Sequence, residues 1–374
     1  MIRILHLADL HLGRSHSYLG DRATERKREA DGVLRRVVDR VLKDPIEVDA
    51  VVIAGDLFET YKPEASLVGD VIRELRRLVD AGKTVITLPG NHDELSYSDC
   101  VYLKHKDRWP GILVTSPQWS RVATVETAEG TCHFYGLAYQ AGITSGTLDT
   151  SIALEPEGLH VAILHASVNL PGGDRSIHTT SKELAGLGVD YVALGHIHKP
   201  DVIRLLNGLA VYPGLIEGSG FDDPGCSELT VVRLGDGNPR AERIPLETRR
   251  IETRDVDLGS LGDPDALREA IEEMADADLI LRLVLMGAAG FEPPSSLLQT
   301  ELSDCFYHFE IDDGFTLMET SAVDAAAREE TPLAIVIRTL REKERQAETE
   351  KDKTIVRLAL RHAWQAWRGG QSHG

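Results

Sequence analysis

Ile2-Arg3-Ile4-Leu5-His6-Leu7-Ala8, followed at once by Asp9-Leu10-His11, is the run from which the rest of the chain can be read. Branched apolar side chains dominate it, which predicts a buried strand with a polar pair just past its carboxyl end. Four further runs repeat the plan. Ala50–Ala54 leads to Gly55-Asp56, Thr84–Pro89 to Gly90-Asn91-His92-Asp93, Val161–Leu164 to His165, and Val189–Leu194 to Gly195-His196-Ile197-His198. In open α/β sheets, functional groups gather at the carboxyl ends of strands. Five such strands bring two aspartates, one asparagine and four or five histidines to one edge.

That inventory suits a pair of divalent cations. Imidazole and carboxylate together fit manganese, iron or zinc, and two ions roughly 3.5–4 Å apart are a common device for phosphoester hydrolysis. A lone Asp-X-His, or one core histidine, would carry little weight; five pieces in order carry much more. Asp9 and His11, two apart on extended chain, are expected to point to the same side, as are His196 and His198. Asp56 has two carboxylate oxygens and is the choice for a bridging ligand. The Asn91 amide oxygen can ligate a hard or borderline cation. His92 is assigned to chemistry: beside a scissile phosphate it could stabilise the transition state or protonate the leaving oxygen. Asp93 is expected to orient a neighbouring group from behind.

The ordered pieces resemble the calcineurin-like metallophosphoesterase superfamily. His6-Leu7-Ala8-Asp9-Leu10-His11-Leu12-Gly13, and Gly55-Asp56-Leu57-Phe58 followed by Pro63, more narrowly resemble its DNA-repair exonuclease branch, the SbcD-type nuclease subunits. The likeness covers residues 1–220 well, 245–320 loosely, and the last fifty in general character. Glu59 departs from it, since relatives often carry aspartate or histidine there.

The resemblance implies an α/β metallophosphoesterase sandwich, two mixed sheets flanked by helices. It also implies a small α+β capping domain and C-terminal helices. It places Asp9, His11, Asp56 and His198 on one metal, and Asn91, His165 and His196 on the other. Manganese is the family's usual activator, although the residues alone do not choose it over iron or zinc. The implied reaction is hydroxide attack on phosphorus between the two metals, on DNA, as an exonuclease and also as an endonuclease. Two rival readings stay open: a nucleotide or phosphoprotein phosphodiesterase or phosphatase of the same superfamily, and a non-catalytic scaffold.

With 374 residues, length suggests two domains and an appended piece. The expected boundaries are 1–240 for the nuclease domain, 245–320 for the capping domain and 324–370 for the C-terminal helices. No run of about 18 apolar residues exists, so no membrane span is expected. A strand-like start leaves no room for a secretory signal. Four scattered cysteines fit free thiols in a reducing cytoplasm.

Charge complicates the DNA reading, because a basic patch is the usual footprint of nucleic-acid binding. The net charge is −19. Residues 1–121 balance at 19 basic against 19 acidic, residues 122–323 carry 12 against 33, and residues 324–374 carry 10 against 8. The acid sits in the middle, and local basic clusters (Arg22, Arg26, Lys27, Arg28; Lys104, Lys106, Arg108) lie toward the N-terminus. A partner that supplies the grip on DNA would reconcile the two.

Elsewhere, one amphipathic helix is expected from Arg22 to Lys43, ended by Pro45, its arginines read as a solvated face. Pro63 should open a helix that stops at Gly82, and residues 101–158 read as short strands and turns. Asn169–Arg175, with Pro171, Gly172 and Gly173, looks like a flexible loop near the substrate. Gly235–Pro239 marks a change of register, after which Asp263-Pro264 caps a helix between strands. Thr331-Pro332 starts a further helix, and Ile355 to Trp367 a second. Trp364 and Trp367 are read as interface anchors. By resemblance they would hold an SbcC-type ABC ATPase; a helical hairpin folding back on its own domain is the alternative, and a homodimer is also compatible.

Overall fold

The apolar runs do become strands. In this computed structural model they are, in chain order, β1 (Ile2–Leu7), β2 (Ala50–Ala54), β3 (Thr84–Leu88), β4 (Ile112–Leu113), β5 (Ser120–Thr127), β6 (Gly130–Gly136), β7 (Gly146–Thr147), β8 (Leu159–Val168), β9 (Ile177–Thr179), β10 (Tyr191–Gly195), β11 (Asp201–Arg204), β12 (Leu209–Tyr212), β13 (Glu228–Leu234) and β14 (Arg240–Pro245). The structure describes residues 1–43, 46–128, 130–144, 146–170, 175–287, 291, 293–313, 323 and 325–347, and beyond them 352, 355, 356, 359, 360, 363, 364 and 367. Two compact units divide the chain, residues 1–249 and 250–374.

The first unit holds two mixed sheets. One runs β14-β13-β1-β2-β3-β4, parallel from β1 to β4. The other runs β11-β12-β10-β8-β6-β5, with β12, β10, β8 and β6 parallel. Alternation along the second sheet decides which side chains meet the first. Val161 and Ile163 of β8, and Tyr191 and Ala193 of β10, join the core that contains β1, β2 and β3. Ala162, Leu164, Val192 and Leu194 point the other way, into a second core closed by Leu184 and Leu187. The two-residue period therefore aims His165, two beyond Ile163, at the first sheet.

Several local expectations need correction. The helix from Arg22 to Lys43 is two helices, Ala23–Asp31 and Val33–Lys43, interrupted at Gly32. The Asp31 carboxylate turns away to accept the Gly13 N–H (2.6 Å), and glycine is a weak helix former. Arg26 is not on a solvated face: it is fully buried and paired with Glu217 (2.6 Å). Pro63 lies ahead of the helix Ala65–Asp80, whose N-cap is Glu64. Gly82 does supply the stop, at φ 75. A short helix, Val101–His105, occupies the start of the stretch read as strands and turns. Gly235–Pro239 is the hairpin between β13 and β14, which are antiparallel neighbours. Pro45, Pro171, Gly172 and Gly173 lie outside the described residues.

The second unit contains three parallel strands, β15 (Ile251–Asp257), β16 (Asp276–Met286) and β17 (Phe306–Asp312), in that order. Asp263 caps the helix Pro264–Glu272 by accepting the Ala266 N–H (2.9 Å). The helix Ser295–Leu302 is an element the sequence pattern did not announce. Thr331 caps Pro332–Gln346 in the same way as Asp263. Leu333 and Ile337 of that helix pack with Ala326, Leu360 and Trp364. Trp364, read from sequence as an interface anchor, is thus buried against side chains of its own unit, as the alternative of a hairpin folding back has it. Among the described residues, no helix is long and apolar enough to cross a membrane.

Candidate metal centre

His165 lies within β8, but the other expected groups sit in the turns just past their strands. Asp9 (φ 54), His11 (φ 46), Asp56 (φ 49) and His196 (φ 98) all have positive φ. Among the described residues only six non-glycine residues do, so four of the six are at this edge. Each such conformation costs on the order of 1–3 kcal/mol and persists only where surrounding bonds hold it. Here Asp9 N–H donates to Gly55 O and His11 N–H to Asp56 O, both at 3.0 Å. Asp9 and His11 therefore converge as expected, but for a different reason: left-handed residues, not the pleat, aim them.

The side chains meet in two sets. His11 Nε2 and His198 Nε2 are 3.0 Å apart, with an oxygen of Asp9 close by. His165 Nε2 and His196 Nδ1 lie 2.9 and 3.0 Å from Asn91 Oδ1. Asp56 Oδ2 lies between the sets, 3.3 Å from His165 Nε2 and 3.8 Å from His11 Nε2. Its other oxygen accepts the His92 N–H (2.8 Å). One oxygen of Asp56 thus faces both sets, where a bridge through two was expected. Asp9 takes the His196 N–H on both oxygens (3.0 and 3.1 Å).

Glycines, Gly55 among them, make this closeness possible. A Cβ on Gly90 would fall 2.2 Å from Asp56 Oδ1, and one on Gly195 would fall 1.9 Å from Ala54 O and 2.7 Å from His165 Nδ1. Gly195 pairs with His165 across the β8–β10 ladder, so any side chain there would force the two sheets apart.

Proton positions decide what the cluster can hold. His165 Nδ1 donates to the Ala54 carbonyl (2.9 Å), so Nε2, which faces the oxygens of Asn91 and Asp56, is the atom that must release its proton before a cation can bind there. His198 Nδ1 bonds the Asp223 carboxylate, and His11 Nδ1 lies 3.0 Å from Glu59 Oε2. Their Nε2 atoms then face each other across the first set. Imidazole nitrogens and carboxylate oxygens that converge in this way, once their protons are displaced, can hold a cation.

Titration follows the same lines. Burial, against the pull of His165, pushes Asp9 up to about 6, with the Asp56 charge adding to the rise. Burial holds His11 down at about 4, so its ring is neutral. Burial would also depress His165, but the Asp56 carboxylate beside it raises it to about 9. That imidazolium supplies the positive charge two buried carboxylates demand.

The family profile described as Calcineurin-like phosphoesterase matches residues 2–200, more than half of the chain. The chain belongs to that family. Its members bind dimetal centres, and the Asp/His cluster here is able to hold metal. Among curated relatives, an uncharacterized metallophosphoesterase, YhaO of Bacillus subtilis, is 24% identical over 77% of this chain and 72% of its own length. The DNA double-strand break repair protein Mre11 of Haloferax volcanii is 26% identical over 79% of this chain and 64% of its own. One component of the B. subtilis nuclease SbcCD, its SbcD chain, is 28% identical over 64% of this chain and 68% of its own. The chain thus spans about two thirds to three quarters of the length of these relatives.

Around this phosphoesterase cluster stand groups of three kinds. His92 is 37% exposed at its side chain and stands against the His11 ring; its Nδ1 donates to Glu59 O (3.0 Å), leaving Nε2 uncommitted beside the cluster. Asp93 is fully buried and accepts from Gly90 N–H (2.8 Å), Phe58 N–H (3.0 Å) and the Tyr102 hydroxyl (2.6 Å). It therefore shapes the turn that carries Asn91 and His92 rather than touching a ligand. Burial, with Asp56 nearby, pushes it up to about 6.

Asp223 and Arg14 were not among the expected site residues. Asp223 fixes His198; burial works against its charge, but the His198 hydrogen bond holds it below the usual carboxylate range. Its signal was faint, an acid in the turn Gly220-Phe221-Asp222-Asp223-Pro224-Gly225. Arg14 Nε pairs with Glu59 (2.7 Å), and the departure at Glu59 turns out to be a residue against His11.

Proposed function

We propose that this chain is a dimetal phosphodiesterase that acts on DNA, as an exonuclease and also as an endonuclease, in DNA repair. Asp9, His11, Asp56 and His198 would hold one cation, and Asn91, His165 and His196 the other, with Asp56 shared. The observation that carries the reading is Asp56 Oδ2, within 3.8 Å of a ligating nitrogen in each set. The cations, most simply manganese, supply Lewis acidity and a nucleophile at neutral pH when bound.

The chain's own groups do the rest. His92 Nδ1 is committed to a carbonyl, so Nε2 is the atom that can pass a proton to a departing oxygen. Asp56 Oδ1 holds the His92 backbone and keeps that ring beside the cluster. Asp223 fixes the tautomer of His198, and the Glu59 carboxylate beside His11 Nδ1 favours a proton on that nitrogen. The DNA assignment draws on relatives named as a repair protein and as part of a nuclease. By the same likeness, an ABC ATPase of the SbcC type would be the partner that supplies grip, met by the C-terminal helices.

The net charge of −19 favours a second reading, turnover of a small phosphodiester without DNA. One experiment separates them. Purified chain plus manganese is given end-labelled linear DNA and, in parallel, bis(p-nitrophenyl) phosphate. DNA turnover that falls about 10²–10⁴-fold in His92→Ala, with metal retained, is expected. Turnover of the small ester alone sinks the DNA reading, and normal DNA turnover by the variant sinks the role of His92.

A further inference from the structure

The two loops that build the centre also present a pair of stacked tyrosines that the chemistry above does not use. Tyr61 follows Glu59 by two residues, so it lies within about 7 Å of the residue whose carbonyl holds His92. Tyr97 follows His92 by five. Their rings stack at a centroid distance of 4.0 Å and 18° between planes. Tyr61 is the fixed member: it packs against the main core, and its carbonyl accepts the Val101 N–H (2.8 Å). Tyr97 lies on top and is 42% exposed.

We infer that Tyr97, supported by Tyr61, is a stacking platform for a nucleobase next to the scissile phosphate. This rests on the DNA phosphodiesterase reading and names how that substrate would be held. Three features point to a base rather than to simple packing. First, the lower ring is already anchored without Tyr97, whose ring is left as a large apolar plate at the surface. Second, stacking needs no base identity, which suits a nuclease that works through any sequence. Third, the ring has cationic neighbours. Lys62 pairs with Asp99 (2.8 Å), and Lys104 is close enough for its charge to act on the same Asp99. Lys62, which is close enough to Tyr61 for their charges to interact, thus puts a cationic side chain beside the stacked pair, where a phosphate flanking a stacked base would run.

The test is a cycle between protein and substrate. Single-stranded oligonucleotides carrying one tetrahydrofuran abasic residue, moved stepwise along the strand, are digested with manganese by wild type, Tyr97→Ala, Tyr97→Leu and Tyr97→Phe. For the wild type, one abasic position should raise KM roughly 5- to 100-fold. Tyr97→Ala and Tyr97→Leu should show the same rise on the intact oligonucleotide and no further loss at that abasic position. Tyr97→Phe should keep wild-type KM, since the ring and not the hydroxyl stacks. Metal content equal to wild type in each variant shows that the centre is intact.

Unchanged KM in the alanine and leucine variants, or losses that multiply with the abasic substitution, would overturn the platform while leaving the DNA reading standing. Absence of DNA turnover by the wild type, with turnover of bis(p-nitrophenyl) phosphate, would overturn both.

Discussion

Parallel strands with apolar, buried interiors occur in both units, yet their carboxyl ends differ. In the first unit, β1, β2 and β10 run into turns where Asp9, His11, Asp56 and His196 take positive φ, and those side chains converge. In the second unit, β15, β16 and β17 end in Asp257, Met286 and Asp312. Among the described residues there, positive φ falls on Gly287, and the Asp257 carboxylate accepts the Gly259 N–H at 3.0 Å. A parallel sheet supplies an edge. It becomes a site only where strain at that edge is borne by residues with chemistry.

The comparison is broken most severely at Gly195. In Gly195→Ala the new methyl meets the Ala54 carbonyl at 1.9 Å, a backbone atom of the other sheet that cannot swing aside. The ends of the two sheets must part, and both metal sets with them. Misplacement by about 1 Å costs catalysis roughly 10²-fold, so a loss of at least about that size is expected, together with loss of bound manganese. Metal analysis and turnover on the same sample check it; a fully loaded, active variant would show that the close approach is not needed.

The strained edge should also declare itself in pH. His165 is raised to about 9, so at neutral pH its ring carries a proton that a cation must displace. Higher pH removes the proton and favours binding. Apparent metal affinity should therefore climb about tenfold per unit from pH 7, near a hundredfold by pH 9, and flatten above. Below about 6, where Asp9 also takes a proton, the slope should steepen. Calorimetry in buffers of different ionisation enthalpy would count the protons released, and a flat affinity between pH 7 and 9 would contradict the charge assigned to His165.

Most of this edge was legible because β-branched runs and their trailing polar groups are local signals. Each ligand candidate named from sequence (Asp9, His11, Asp56, Asn91, His165, His196 and His198) lies in the cluster. What escaped is what depends on long-range packing. Asp223 is 25 residues from His198 and meets it only once β10 and the following turn are folded. The burial of Arg26 depends on Glu217, 191 residues away. Trp364 read as an anchor because nothing local says that Leu333 and Ile337 will cover it. Positive φ at Asp9 and Asp56 was equally hidden, since neither is a residue type that demands it.

Asp223 offers a milder way to sharpen the contrast. Asp223→Asn keeps a hydrogen-bonding side chain but removes the charge that makes the His198 ring a strong donor. Partners of this kind contribute about 10- to 100-fold in metal affinity, and the low end, about tenfold, is expected here. Manganese titration followed by electron paramagnetic resonance would measure it. Unchanged affinity would mean that His198 is oriented by packing alone.

The smallest expected effect belongs to the second unit. Gly287 sits at φ 83, and a Cβ there would fall 2.2 Å from Asp257 Oδ1. Unlike Ala54 O, that atom ends a side chain and can rotate away, at the cost of its bond to Gly259. The backbone still resists, because an alanine in the left-handed region costs about 1–2 kcal/mol. Losing a turn bond adds about 1 kcal/mol. Gly287→Ala should therefore speed amide exchange across the β15–β16 ladder, where Asp257 faces Met286, while manganese affinity of the first unit stays at its wild-type value. The two glycines have the same conformational freedom and different neighbours, one a carbonyl between catalytic sheets and the other a capping carboxylate. If Gly287→Ala lowered metal affinity as Gly195→Ala should, the division between a strand edge built for chemistry and one built for packing would fail.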